Sequence, residues 1–242
     1  MEDIIFGRNS VTELIKAGRS VNKIFFAEGN QDGSMKKIFS LAKDARIVCE
    51  FVSRSKLDKI SGGGRHQGVV AFAAAVQYST VEEILNFAAS KNESPFIILL
   101  DELEDPRNFG AILRTADAVG VHGVIIPKRR SVSLNSTVAK TSAGAVEYVK
   151  VAQVTNIAQT LKKFHELDLK IVGSDISAEK NFSEVDLTGG IVLIIGNEGK
   201  GMRRLTKENC DLLVKIPMVG KINSLNASVA GAILMYEIFR QR

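Results

Sequence analysis

Three short polar stretches hold residue types that could bind a ligand and act on it. The first runs Asp105-Pro106-Arg107-Asn108-Phe109-Gly110-Ala111-Ile112-Leu113-Arg114-Thr115. It offers a carboxamide at Asn108 and a guanidinium at Arg114, with Gly110, Ala111 and Ala118 as small neighbours. An arginine flanked by small residues can lie flat against a ligand or a second subunit, although a solvent-facing helical arginine is the commoner case. The second is Gly196-Asn197-Glu198-Gly199-Lys200-Gly201. Glycine permits close backbone approach to a ligand, and Asn197 and Glu198 add a polar tip. Taken alone, the same stretch reads as a tight turn whose Glu198 favours a following helix N-terminus. The third runs from Ile216-Pro217-Met218-Val219-Gly220 to Asn223-Ser224-Leu225-Asn226-Ala227-Ser228. Taken alone, it is a loop ending in the cap of a small-sided helix, with Ser224 or Asn223 as the capping residue.

These stretches need elements to position them. Ile191–Ile195 and Leu212–Ile216 are short apolar runs bounded by Gly, Pro and Asn, and they read as buried strands. The second and third stretches leave their carboxyl ends, where open α/β sheets bind ligands. Further strands are expected at Phe96–Leu100, Gly123–Pro127, Val146–Val151 and Lys170–Ser174. Helices are expected at Gly110–Val119, Leu134–Ala143 and Asn156–Leu167, with Asn108 capping the first. Alternating strands and helices imply an α/β domain with a mostly parallel sheet. The first 76 residues form a separate small α/β pattern. Its helices are expected at Val11–Ala17 and Met35–Lys43, its strands at Lys23–Ala27, Arg46–Val52 and Val69–Val76, and Ser53 caps a short helix. Gln77–Ser94 holds one amphipathic helix with Val81, Ile84, Leu85 and Ala88 on one face, and reads as a linker.

The totals narrow the classes. With 242 residues and 45% apolar content, the chain can bury a real core. No run of about 18 apolar residues is present to span a membrane, and the first ten residues lack a secretory pattern. Cys49 and Cys210 stand far apart, as in a reducing cytosol. His66, His122 and His165 show no metal-ligand spacing. Residues 1–76 carry 12 Lys and Arg against 8 Asp and Glu, whereas residues 77–242 carry 20 against 19. A basic excess concentrated in the N-terminal third suits a polyanion such as nucleic acid, and equally an ordinary solvated surface.

The dinucleotide fingerprint Gly-x-Gly-x-x-Gly is missing after every strand, and Gly196–Gly201 lacks the Lys-Ser/Thr of a phosphate-binding loop. A nicotinamide enzyme is therefore disfavoured. In order and spacing, however, the three stretches together resemble the SpoU (TrmH-like) family of RNA ribose 2′-O-methyltransferases, within the SPOUT superfamily. Asn108, Gly110 and Arg114 match the first family motif. Gly196-Asn197-Glu198-Gly199 match the second and Ser224-Leu225-Asn226-Ala227-Ser228 the third. The likeness covers Phe96–Arg242. The N-terminal residues resemble the small ribosomal-protein-like domain that precedes the catalytic domain in rRNA-modifying members.

The resemblance implies an RNA-binding domain at 1–76, a linker with a short helix at 77–94, and a trefoil-knotted methyltransferase domain at 95–242. It implies S-adenosylmethionine as cofactor and no metal. Gly196, Ile216, Met218 and Leu225 would line the adenosine pocket, and Asn197, Ser224 and Asn226 would shape the methionine side and the catalytic face. Arg114, Asn108, Glu198, Ser224 and Asn226 are the candidate catalytic group. The family assigns Arg114's counterpart to activating the hydroxyl; arginine stays protonated in proteins, so positioning and stabilising alkoxide charge is the chemically better role. A homodimer through the C-terminal domain is implied, with large-subunit rRNA, free or in an assembly intermediate, as partner. Candidate phosphate contacts are Arg8, Arg65, His66, Lys128, Arg129 and Arg130. A tRNA ribose methyltransferase and a catalytically silent RNA-binding protein remain the alternatives.

Overall fold

The wholly apolar run Ile191–Ile195 has no solvent-exposed residue, and neither does Phe96–Leu100. A strand buried on both faces must lie at the centre of a sheet covered on both sides. In the computed structural model, which describes residues 2–29, 32–74, 77–221 and 224–242, these two strands pair in parallel at the middle of a seven-stranded sheet.

The chain divides into two compact units, residues 1–77 with 134–148 and residues 78–133 with 149–242. In the first, β1 (Glu2–Phe6), β2 (Val21–Ala27), β3 (Val48–Val52) and β4 (Val69–Ala74) form a sheet in the order β1-β4-β2-β3. Only the β2–β3 pair is parallel. The helices are α1 (Arg8–Lys16), α2 (Gly33–Asp44) and α3 (Arg54–Ile60). Ser53 caps α3 by accepting from the Lys56 amide, as its position before the helix predicts. Strand β1 escapes the sequence reading because its five residues mix Glu2 and Asp3 with Ile4 and Ile5. Its antiparallel pairing with β4 supplies what its own pattern lacks. The end of the expected strand at Val76 lies outside the described residues.

In the second unit, α4 (Val81–Ser90) is followed by β5 (Phe96–Leu100), α5 (Pro106–Ala118) and β6 (Gly123–Pro127). The chain then contributes α6 (Ser136–Thr141) to the first unit. It returns as β7 (Lys150–Val154), α7 (Ile157–Glu166), β8 (Lys170–Ser174), β9 (Lys180–Asn181), β10 (Ile191–Ile195), α8 (Arg204–Glu208), β11 (Leu212–Lys215) and α9 (Ala227–Gln241). The order is β7-β6-β5-β10-β8-β11-β9, and every pair is parallel. Ile84 of α4 and Ile157, Leu161 and Phe164 of α7 cover one sheet face together with Ile97, Ile125 and Val192. Helices α5 and α9 pack against each other, α5 meeting β6 and α9 meeting β10. His122 is fully buried; its Nδ1 accepts from the Phe96 amide and its Nε2 meets Glu93, so its work is structural.

Three sequence expectations are corrected. The stretch at 77–94 is no linker, because Ile84 is fully buried in the main core and Ser79 bridges to Ala152 in parallel. The strand expected at Val146–Val151 is a 3-10 turn at Ala145–Glu147 followed by β7. The segment 134–148, expected in the methyltransferase domain, clusters with the N-terminal residues. There Arg19 pairs with the side chain of Glu147, which is 5% exposed, at 2.9 Å, and Tyr148 donates to Glu13 at 2.7 Å. Burial raises the Glu147 carboxyl above its ordinary range, against the pull of Arg19. A buried acid with one cationic partner ties that segment in place, since losing the partner would strand a charge.

Candidate active site

Asp105 accepts from the Arg107 amide at 2.8 Å and Pro106 takes the first helical position, so α5 starts earlier than the sequence reading places it. Asn108 therefore does not cap the helix. It sits inside the first turn, 7% exposed, with its carboxamide free for tertiary bonds. The helix at the third stretch is capped by Asn226 rather than Ser224. Its Oδ1 accepts from the amides of Ser228 at 3.0 Å and Val229 at 3.4 Å. The other candidate cap, Asn223, lies outside the described residues.

Between these two helix starts stands Glu198. Its Oε1 accepts from Asn108 Nδ2 and, at 3.2 Å, from Asn226 Nδ2; Asn226 also donates to Asn108 Oδ1 at 3.0 Å. The three family motifs thus meet in one junction. Two carboxamides, one from the first turn of α5 and one from the cap of α9, converge on a single carboxylate oxygen.

The loop carrying Glu198 is held by its neighbour. Asn197 pairs its backbone with Gly201 in both directions, and its Oδ1 accepts from the amides of Gly199 and Lys200. Its Nδ2 donates to the Glu102 carbonyl at 2.9 Å. Gly196 is required where it stands, since a Cβ there would lie 2.4 Å from the Gly201 carbonyl carbon and 2.5 Å from the Met202 amide nitrogen.

A cavity of about 330 Å³ opens beside this loop, at the carboxyl ends of β8, β10 and β11. Of the expected cofactor residues, Gly196, Asn197, Ile216, Met218, Ser224 and Leu225 all line it, as does Glu198. Asn226 lies behind, in the junction. Ser174, Asp175 and Ile176, which follow β8, also line it and were not read from the sequence. No motif marks them; only the strand order, which places β8 between β10 and β11, brings them in. Burial works to raise the Asp175 carboxyl, but hydrogen bonds from Ser177 and Lys207 outweigh it and hold it below the ordinary range. The cavity therefore presents charged and apolar walls together, with Lys200 beside the carboxylates of Asp175 and Glu198.

Arg114 is exposed on α5 and makes no hydrogen bond or ion pair with any described residue. The candidate phosphate contacts divide. Arg8 is spent on Asp32 at 2.7 Å and the Gln67 carbonyl at 3.1 Å. His66 is buried, accepts from the Gly68 amide at 2.9 Å and meets Asp58 at 3.0 Å. Arg65, Lys128, Arg129 and Arg130 are exposed. Arg130 faces Glu102 at 3.8 Å.

A parallel α/β sheet with a ligand-sized cavity at its strand ends and a carboxylate–carboxamide junction beside it defines an enzyme-like small-molecule site. The comparisons give it a family. Residues 95–236 match the SpoU rRNA methylase family, and residues 4–79 match the RNA 2′-O ribose methyltransferase substrate-binding domain. A Bacillus subtilis (strain 168) protein, YacO, named for the TrmH family of tRNA/rRNA methyltransferases, is 50% identical over 99% of this chain and 96% of its own length. A solved RNA 2′-O ribose methyltransferase superposes with a TM-score of 0.81 at 26% identity, over 99% of this chain and 88% of that one. The SpoU methyltransferase AviRb of Streptomyces viridochromogenes, solved with S-adenosylmethionine, shares the fold with a TM-score of 0.82 at 22% identity, over 99% and 90%. The chain belongs to the SpoU family of RNA methyltransferases.

Proposed function

We propose that this enzyme transfers the methyl group of S-adenosylmethionine to the ribose 2′-hydroxyl of a guanosine in 23S rRNA. The observation that carries the reading is the junction of Asn108, Glu198 and Asn226 beside a cavity lined by the expected cofactor residues. The match of residues 4–79 to an RNA substrate-binding domain supports an RNA substrate, although the name borne by YacO spans both tRNA and rRNA.

The cavity fits the cofactor chemically. Ile216, Met218 and Leu225 offer apolar walls to an adenine. Glu198 offers a carboxylate to the ammonium or sulfonium and Lys200 a cation to the carboxylate of the methionine part, while Asp175 is paired with Lys207 at 3.0 Å. Its volume falls in the usual range for small-molecule sites. When bound there, the cofactor supplies an electrophilic methyl group.

The residues then divide the work. Glu198, fixed by two carboxamides, places a stationary carboxyl group in the cavity wall. Asn108 and Asn226 fix the starts of α5 and α9 relative to each other. Arg114, with no partner among the described residues, is available to the RNA. As a cation it holds the ribose or an adjacent phosphate and stabilises negative charge on the 2′-oxygen as that oxygen bonds to the methyl carbon, the sulfur–carbon bond breaks and the hydroxyl proton passes to solvent water. Arg65 and the exposed Lys128-Arg129-Arg130 run would contact RNA phosphates, which position without specifying sequence. Arg8 and His66 are better read as structural.

A homodimer completes the proposal. The outer face of α9 exposes Val229, Tyr236 and Phe239 at helical spacing, each about half exposed, with the two rings 6.2 Å apart. The double variant Tyr236→Asp/Phe239→Asp should sediment as a monomer under conditions where the wild type is a dimer. A wild-type monomer, or a variant that still dimerises, would refute this face as the interface.

Ribose-methylation mapping of RNA from cells with and without the gene tests the substrate. One 23S rRNA ribose methyl group should disappear. Loss confined to tRNA would overturn the rRNA assignment.

A further inference from the structure

Glu102 follows β5 with a backbone φ of +61°, a left-handed conformation that residues bearing a side chain rarely adopt. Such a conformation persists only where the surroundings impose it, and it tends to mark a functional constraint. The surroundings here are specific. The Glu102 side chain is 17% exposed, and its Oε1 is buried and accepts no hydrogen bond from any described residue. It faces two guanidinium groups instead, Arg203 at 3.5 Å and Arg130 at 3.8 Å. Arg203 is itself clamped to the fully buried Asp101, through its amide and its Nε, both at 2.8 Å.

The backbone of Glu102 reaches the cavity. Its carbonyl accepts from Asn197 Nδ2 at 2.9 Å, and Asn197 Oδ1 gathers the amides of Gly199 and Lys200. Arg203 lies just beyond the other end of the same loop. Residues 101 and 102 therefore hold the Gly196–Gly201 loop at both ends, one through a buried carboxylate and one through a left-handed carbonyl. Arg114, Asn108 and Glu198 do not explain why a glutamate should be strained at this point.

We propose that Glu102 is a positioning residue for the cofactor loop. Its carboxylate, held by Arg203 and Arg130, keeps the backbone left-handed, and that backbone aims the carbonyl at Asn197 so that the loop is set before S-adenosylmethionine binds. The inference rests on reading the cavity as the cofactor site. Without the carboxylate, an L-residue at 102 relaxes out of the left-handed region and the carbonyl swings away from Asn197. Glycine needs no such restraint, because it occupies positive φ without a side-chain penalty.

The test compares Glu102→Ala with Glu102→Gly in the full chain. Calorimetry measures S-adenosylmethionine affinity, hydrogen exchange follows the Gly199 and Lys200 amides, and thermal melting controls for folding. Glu102→Ala should weaken binding about tenfold and speed exchange, whereas Glu102→Gly should stay within about threefold of wild type on both readouts. Equal losses in both variants would show that only the charge matters and would overturn the proposal. So would wild-type affinity in Glu102→Ala. A third variant, Leu225→Arg, fills the cavity. If it abolishes binding while Glu102→Ala binds normally, the fault lies with Glu102. If it leaves binding intact, the cavity is not the cofactor site and the proposal falls with it.

Discussion

Replacing Arg114 by alanine should lower the rate of methyl transfer about 100- to 1,000-fold, the usual effect of removing one preorganised donor to a developing oxyanion. Cofactor affinity should stay within about twofold of wild type, because Arg114 does not line the cavity. Arg114→Lys should fall between the two, since a lysine keeps the charge and loses the planar fork. The side chain is exposed and bonds to no described residue, so neither change should unfold the protein. Single-turnover rates with saturating cofactor, beside calorimetry, separate the effects. Near-normal turnover with normal cofactor binding in both variants would remove Arg114 from the chemistry.

The second large effect is expected at Gly196. A methyl group there meets backbone atoms of Gly201 and Met202 at 2.4 and 2.5 Å, which no side-chain adjustment relieves. The strand end and the returning loop must separate, and Asn197 and Glu198 move with them. Gly196→Ala should therefore weaken S-adenosylmethionine binding by about 10- to 100-fold, equivalent to the ~1–3 kcal/mol that forcing an extra methyl into a packed site costs. Gly199 provides the control within the same loop. A Cβ there meets only Asn197 Oδ1, at 3.8 Å, and Gly199→Ala should bind within about threefold of wild type. Equal behaviour of the two variants would show that the crowding at Gly196 does not matter. Thermal melting separates loss of the site from loss of the fold.

Much of this arrangement is legible in the residues, and what is not has a physical reason. Ile191–Ile195 and Phe96–Leu100 announce themselves as buried strands because burial on both faces leaves no polar residue to mask them. The family likeness of Asn108, Glu198 and Asn226 survives translation into space, where they bond to one another. The details of their roles do not. Asn108 looks like a helix cap, but Asp105-Pro106 caps first and turns the carboxamide inward. Ser224 looks like a cap as well, yet Asn226 takes the two free amides of α9.

Other features depend on pairings that no local pattern contains. Asp175 enters the cavity only because β8 lies between β10 and β11. Strand β1 exists because β4 is there to pair with it. The segment 134–148 reads as a continuation of the methyltransferase pattern, and the partners that place it elsewhere, Arg19 and Glu13, stand more than a hundred residues earlier. That placement also affects how the N-terminal residues can be tested. Deleting residues 1–76 would strip Arg19 from buried Glu147, so point variants such as Arg65→Ala are the cleaner probes of RNA contact.

The central claim is that methyl transfer ends on a ribose oxygen. Purified enzyme should be incubated with unmodified rRNA and S-adenosylmethionine carrying a deuterated methyl group, and the RNA digested to nucleosides for mass spectrometry. The account predicts the label in the ribose fragment of a single 2′-O-methylated nucleoside, absent with the Arg114→Ala enzyme. Label in a base fragment, or bound cofactor with no label in any RNA nucleoside, would contradict it.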